Sequence, residues 1–118
     1  MLKLQRLLLE LYDCNANALR AENIERFLLE APERIGMRRV SKPVVCRYGT
    51  EEGKETISGF VVIAESHIAV HALPGDRFAY VDMLSCRDFD GRAAERYAKN
   101  YFEAGRVESC VFRSEIKG

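Results

Sequence analysis

The chain has 118 residues, enough for one small domain with a modest core and too few for two. Its 18 Lys and Arg balance 18 Asp and Glu, so the net charge is zero and no electrostatic attraction to nucleic acid or an anionic membrane follows. Hydrophobic residues make up 47%, too many for a disordered chain, yet no apolar run approaches the ~20 residues that a membrane helix needs. The first residues open directly into an amphipathic run, Leu2 to Tyr12, without a secretory pattern. The four cysteines (Cys14, Cys46, Cys86 and Cys110) form no C-x-x-C pair and have no histidines at zinc spacing. The expectation is a cytoplasmic domain with free thiols and no metal.

In chain order, residues 2–13 alternate in part and suit a strand, although their leucine cluster also suits a helix. Residues 18–31 predict a helix, with Ile24, Phe27, Leu28 and Ala31 on one apolar face and Pro32 ending or bending it. Val40 to Tyr48 reads as a strand, followed by the polar segment Gly49 to Glu55. Ile57 to Ala64 and Ile68 to Ala72 read as buried strands on either side of Glu65-Ser66. Pro74-Gly75-Asp76 is a turn by composition, and Phe78 to Cys86 is another strand. Asp88 or Asp90 can cap a second helix, in which Ala94, Ala98 and Phe102 share a face and Gly105 is the stop. Val107 to Phe112 closes the chain as a strand. This order predicts an α+β two-layer sandwich, a mostly antiparallel sheet with two main helices on one face.

Four residues stand out for their chemistry. Ser66 sits with Glu65 and His67 between two apolar strands, where packing favours valine or isoleucine, so the polar triplet is either a solvated turn or a site. His71, in the next apolar stretch, is either a core histidine bonded to backbone or a proton carrier titrating near neutrality. Strict alternation puts Ser66 and His71 on opposite faces, so they meet only across a bend or if the chain ends at Ser66. Cys86, ahead of a helix start, is an inert buried thiol or an acid–nucleophile. Ser58, before Gly59, suits an ordinary start of a strand equally well.

The run Ser58-Gly59-Phe60-Val61-Val62-Ile63-Ala64-Glu65-Ser66-His67-Ile68 resembles the processing segment of the prokaryotic S-adenosylmethionine decarboxylases, S-G-x-V-V-I-x-E-S-H-[LI]. The likeness continues through His71, Pro74 and Ala79 to Cys86, similar to the family's A-x-[VI]-D-[IVL]-F-T-C, and Leu7 to Cys14 resembles its L-x-x-E-[LF]-Y-x-C opening. The resemblance implies a pyruvoyl-dependent carboxy-lyase of polyamine biosynthesis, made as a proenzyme and cut between Glu65 and Ser66 into fragments 1–65 and 66–118. It implies that Ser66 attacks the Glu65 carbonyl, Ser58 supports the oxyanion and His71 takes the Ser66 α-proton. The resulting pyruvoyl group, formed without metal or pyridoxal phosphate, holds an amino-acid substrate as a Schiff base, and Cys86 protonates the product carbanion. The two fragments stay associated, and two such protomers pair through their sheets as a homodimer.

The sequence also departs from the family. Where H-T-W-P-E is usual, it reads His71-Ala72-Leu73-Pro74-Gly75, and H-R-F becomes Cys46-Arg47-Tyr48. Tyr48 and Leu73 are therefore expected at the substrate pocket. The longer loop after Tyr48 carries Glu51, Glu52 and Glu55, which are surface acids or partners for a cationic side chain. These departures tilt the expectation towards L-ornithine or L-arginine as substrate, with S-adenosylmethionine as the alternative. An unprocessed regulatory homologue is a second alternative, disfavoured by the joint presence of Ser58, Ser66, His71 and Cys86.

Overall fold

A computed structural model of the chain describes residues 2–49, 51 and 54–116. The order of elements is β1 (Leu2–Tyr12), α1 (Ala21–Arg34), β2 (Arg38–Arg39), β3 (Val44–Tyr48), β4 (Thr56–Ala64), β5 (Ser66–Leu73), β6 (Phe78–Ser85), α2 (Gly91–Phe102) and β7 (Arg106–Ile116). All pairings are antiparallel, in the sheet order β2-β4-β5-β6-β1-β7, with β3 also on β4. Both helices cover the same face, so the fold is the α+β two-layer arrangement expected from the element order.

The leucine-rich opening is a strand, not a helix. β1 pairs on both sides, with β6 and β7, and is apolar on both faces. Leu7, Leu9 and Leu11 point into the helix layer, while Leu4 and Leu8 are half-buried on the opposite face. A strand apolar on two faces loses its period of two, which is why its sequence also fits a helix. Gln5 is the exception in this row. Its fully buried amide donates to Phe89 O at 2.9 Å and accepts from Phe89 N at 3.3 Å, fastening the approach to α2 onto the central strand.

α1 buries Ile24, Phe27, Leu28 and Ala31, as its periodicity predicts. Phe27 anchors the helix layer, with its ring 4.9 Å from Phe102 and 5.1 Å from Tyr101. Pro32 does not end α1, which runs on to Arg34. Ala31 and Pro32 are both packed into the core, and in the last turn the proline's fixed φ is accommodated. The expected strand Val40–Tyr48 begins only at Val44, as β3, and β2 lies before it at Arg38–Arg39; between them Val40 N still bonds Val62 O, but the Ser41 hydroxyl accepts from Val62 N and breaks the ladder. Asp90, not Asp88, caps α2 by accepting from Ala93 N at 3.0 Å. Gly105 is not the stop. α2 ends at Phe102 with Glu103 in the left-handed region, and Gly105 instead lets the chain close on β1, where its N–H donates to Tyr12 O and a Cβ would meet Asp13 at 3.2 Å. β7 extends well beyond Val107–Phe112 because its partner β1 is equally long.

Gly59 on β4 lets α1 and the neighbouring strand β3 approach closely. A Cβ there would lie 2.9 Å from Leu28 Cδ1 and 3.0 Å from the carbonyl oxygen of Val44. Gly59→Ala is expected to lower unfolding free energy by about 1–3 kcal/mol in urea denaturation, because the backbone oxygen cannot yield as a flexible side chain can. A second expectation concerns alkali. Burial pushes the Cys14 thiol up to about 11, and burial with the nearby Glu30 charge pushes Tyr97 up to about 12. The folded chain keeps protons that the unfolded chain releases, so stability falls as pH rises from the ordinary thiol value of 9.0 towards 11, with Tyr97 adding to the loss above 10. Urea midpoints measured across that interval, with Cys14 alkylated only on unfolding, check this.

Candidate functional site

The sheet face opposite the helices is open. Alternation along β3, β4, β5 and β6 sends Cys46, Tyr48, Ser58, Phe60, Val62, His67, Ala69, His71, Tyr80 and Asp82 to that side. Val44, Tyr48, Phe60, Val62, Tyr80 and Phe112 are exposed large hydrophobics there. A trough of about 640 Å³ runs along β4 and β5, lined by Val44, Phe60, Val62 and Ala69 and edged by Cys46, Ser58, Ser66, His67 and His71. Among its described lining residues there is no carboxylate.

Polar groups gather at the two ends of the trough. At one end, Ser58 and His71 face each other directly across the β4–β5 ladder, and Ser58 Oγ lies 2.7 Å from His71 Nδ1. Tyr48 Oη is 3.0 Å from the same Ser58 oxygen, and the His71 ring stacks on Tyr80 with centroids 4.7 Å apart. If Tyr48 donates to Ser58 and Ser58 donates to Nδ1, every hydroxyl proton is used and the imidazole proton sits on Nε2. The imidazole is thus held by a stacked ring on one side and a hydroxyl relay on the other, an arrangement suited to moving one proton.

At the other end, Ser66 opens β5. Ile63 pairs with Ser66, so Ala64 and Glu65 alone make the connection between β4 and β5, and the Glu65–Ser66 bond lies at the tip of a tight hairpin. Glu65 is exposed, with Arg87 3.9 Å from its carboxylate. Ser66 pairs on its other side with Ser85, and the half-buried Cys86 follows immediately. His67, beside Ser66, directs Nε2 to Asp82 Oδ2 at 3.3 Å, and Arg6 Nε lies 3.3 Å from Asp82 Oδ1. Neither Gln5 nor the Arg6–Asp82–His67 group was anticipated from sequence.

The S-adenosylmethionine decarboxylase family matches residues 5–115 of this chain. The chain belongs to that family. A proenzyme of S-adenosylmethionine decarboxylase from Acetivibrio thermocellus is 30% identical over 120 residues, covering 96% of this chain and 93% of its own. The corresponding proenzyme from Thermosipho melanesiensis is 34% identical over 107 residues, 87% of this chain and 77% of its own. The crystal structure of adenosylmethionine decarboxylase from Aquifex aeolicus superposes with a TM-score of 0.80 at 26% identity, over 99% of this chain and 93% of that one. The family's decarboxylases are lyases made as proenzymes whose pyruvoyl group arises from a serine, without metal or pyridoxal phosphate.

Within that family, the positions singled out from sequence divide. Ser58, Ser66 and His71 border the trough, Cys86 flanks Ser66, and Tyr48 reaches the site through Ser58. The strand alternation of Ser66 and His71 holds, as no bend brings them together. Leu73 does not line the trough. It ends β5 opposite Phe78, past His71. The loop acids also turn elsewhere. Glu55 is bound by Arg47 at 2.7 Å and Glu51 by Lys54 at 3.2 Å, while Glu52 lies outside the described residues. The tilt towards ornithine or arginine therefore has no support in the described acids, and the relatives quoted above carry the name of the adenosylmethionine enzyme. No helix among the described residues is long and apolar enough to cross a membrane. Iodoacetamide is expected to leave the fully buried Cys14 unlabelled until the chain unfolds, as peptide mapping by mass spectrometry would read directly.

Proposed function

We propose that this chain cuts itself between Glu65 and Ser66 and then decarboxylates S-adenosylmethionine. The observation that carries the substrate reading is the apolar, carboxylate-free trough beside Ser66, with the aromatic ring of Phe60 on its wall. It suits a flat base and a sulfonium, a cation with no hydrogen-bond donors that can lie against the Phe60 ring, whereas an ammonium or guanidinium would lose its water there and leave its N–H donors without a carboxylate to bond.

The geometry of the hairpin supports the cut. In the proposed sequence the Ser66 oxygen adds to the Glu65 carbonyl, the carbon–nitrogen bond breaks and an ester forms with the amine released. Loss of the Ser66 α-proton then expels the Glu65 carboxylate by β-elimination, and hydrolysis of the resulting dehydroalanine releases ammonia. The pyruvoyl group left on residue 66 supplies an electron sink for loss of carbon dioxide. Ser58 is assigned to support the oxyanion, His71 to take the α-proton and Cys86 to return a proton to the product carbon.

Ser66 and His71 are five residues apart on one extended strand, about 16 Å at the usual rise, and on opposite faces. One chain cannot close that distance. A second copy, laid face to face across a two-fold axis, brings the Ser58–His71 end of one protomer over the strand end at Ser66 of the other, which is reached where Ser66 borders the trough, and covers the exposed Phe60, Val62 and Tyr80. The proposed assembly is thus a homodimer with two shared sites.

The test has three parts. Mass spectrometry of the purified chain is expected to find fragments 1–65 and 66–118, and Ser66→Ala is expected to remain whole. Co-expression of Ser66→Ala with His71→Ala is expected to restore cutting of the His71→Ala chain, which alone stays whole. Failure to restore it overturns the shared site. Cut protein offered adenosylmethionine, ornithine and arginine together is expected to yield decarboxylated adenosylmethionine, and putrescine or agmatine would overturn the substrate.

A further inference from the structure

We infer that Asp82, held by Arg6, is a positioning residue that keeps residue 66 in place once the chain has been cut; the inference rests on the reading of Ser66 given above. Before cutting, Ser66 is tethered on one side through Ala64 and Glu65 and on the other through His67. Cutting removes the first tether, together with the Glu65–Arg87 contact as a restraint on residue 66. Residue 66 then becomes the first residue of a strand, where chains fray unless something fastens them.

His67 supplies the fastening. Its Nε2 lies 3.3 Å from Asp82 Oδ2, diagonally across the β5–β6 ladder, while Arg6 Nε on β1 lies 3.3 Å from the other oxygen. The bridge links three adjacent strands, with Asp82 on the middle one. The Asp82 side chain is only 24% exposed, and both Asp82 Oδ1 and Arg6 Nε are shut off from water within one protomer. Asp82 Oδ1 has no hydrogen-bond donor, so the charge of Arg6, whose side chain is otherwise 43% exposed, is what compensates this enclosed oxygen, and Oδ2 is left to bond His67. The backbone N–H of His67 belongs to the same peptide unit as the carbonyl of residue 66, so fixing this imidazole fixes the direction of the group beside Cys86.

The test uses the full-length chain carrying Asp82→Asn, Asp82→Glu or Arg6→Gln, each allowed to cut itself and checked by mass spectrometry. Hydrogen exchange of the peptide that begins at residue 66 in the cut protein is the first measurement. It is expected to speed up about tenfold in Asp82→Asn and less in Arg6→Gln, with Asp82→Glu partly restoring protection. Turnover is the second, where Asp82→Asn is expected to lower kcat about tenfold with KM within about twofold, since the apolar walls of the trough at Val44, Phe60, Val62 and Ala69 are unaltered. Wild-type exchange and kcat in cut Asp82→Asn overturn the inference alone. Arg6→Gln provides the same reading if Asp82→Asn fails to fold. A wild-type chain that stays whole overturns the reading of Ser66 and this inference with it.

Discussion

The register between β4 and β5 is the constraint on which the site depends. With only Ala64 and Glu65 connecting the two strands, Ile63 must face Ser66, and every later pair follows, including Ser58 opposite His71. A slip of one residue would turn Ile57, Val61 and Ile63 out to water and Ser58 and Phe60 into the helix layer. Burial of those side chains against α1 therefore locks the hydroxyl–imidazole pair as firmly as any contact within it. Gly59, pressed between Leu28 and the Val44 carbonyl, brings the helix layer close enough to enforce that register.

The same register separates the site into two polar ends of one trough. Strand geometry allows no compromise here, since five residues of extended chain set the span and the alternation sets the face. The protein keeps an apolar open face that a lone domain would ordinarily cover with polar residues. An exposed face rich in aromatic and β-branched residues, with polar groups concentrated at both ends, is economical if the opposite ends of two copies complete one another.

Much of this was readable from residue order. Ser58, Ser66 and His71 lay in a pattern specific enough to carry the family, and the helix faces around Phe27 and Phe102 followed from periodicity alone. What escaped sequence reasoning depends on pairing between distant strands. Asp82 reads as an ordinary outward residue of β6 until β1 and β5 are set on either side, bringing Arg6 and His67 to it. Gln5 looks like a break in an apolar row, and only the return of the chain at Phe89 gives its amide two backbone partners. The acids after Tyr48 show the opposite case: their charge is visible in sequence, but the choice between a surface role and a cationic ligand is decided by the local cations Arg47 and Lys54, which engage Glu55 and Glu51. Gly105 has the position of a helix-end glycine in sequence, and only the pairing of distant segments shows its use, the close approach of the chain to Tyr12 and Asp13.

The hairpin tip at Glu65–Ser66 also bears on the life history of the molecule. That bond is the covalent link between β4 and β5, and the ladder it joins lies between the edge strands and the rest of the sheet. A chain severed there stays together through backbone pairing and a shared core, yet its two pieces no longer find each other by diffusion within one polymer. Assembly of the intact chain is a first-order search, whereas reassembly of the severed one is second-order and slows with dilution. Under the proposed cut, this bond would act as a one-way gate in time: the fold would have to be complete before the cut, and a severed molecule that once came apart would have lost the connectivity that built it.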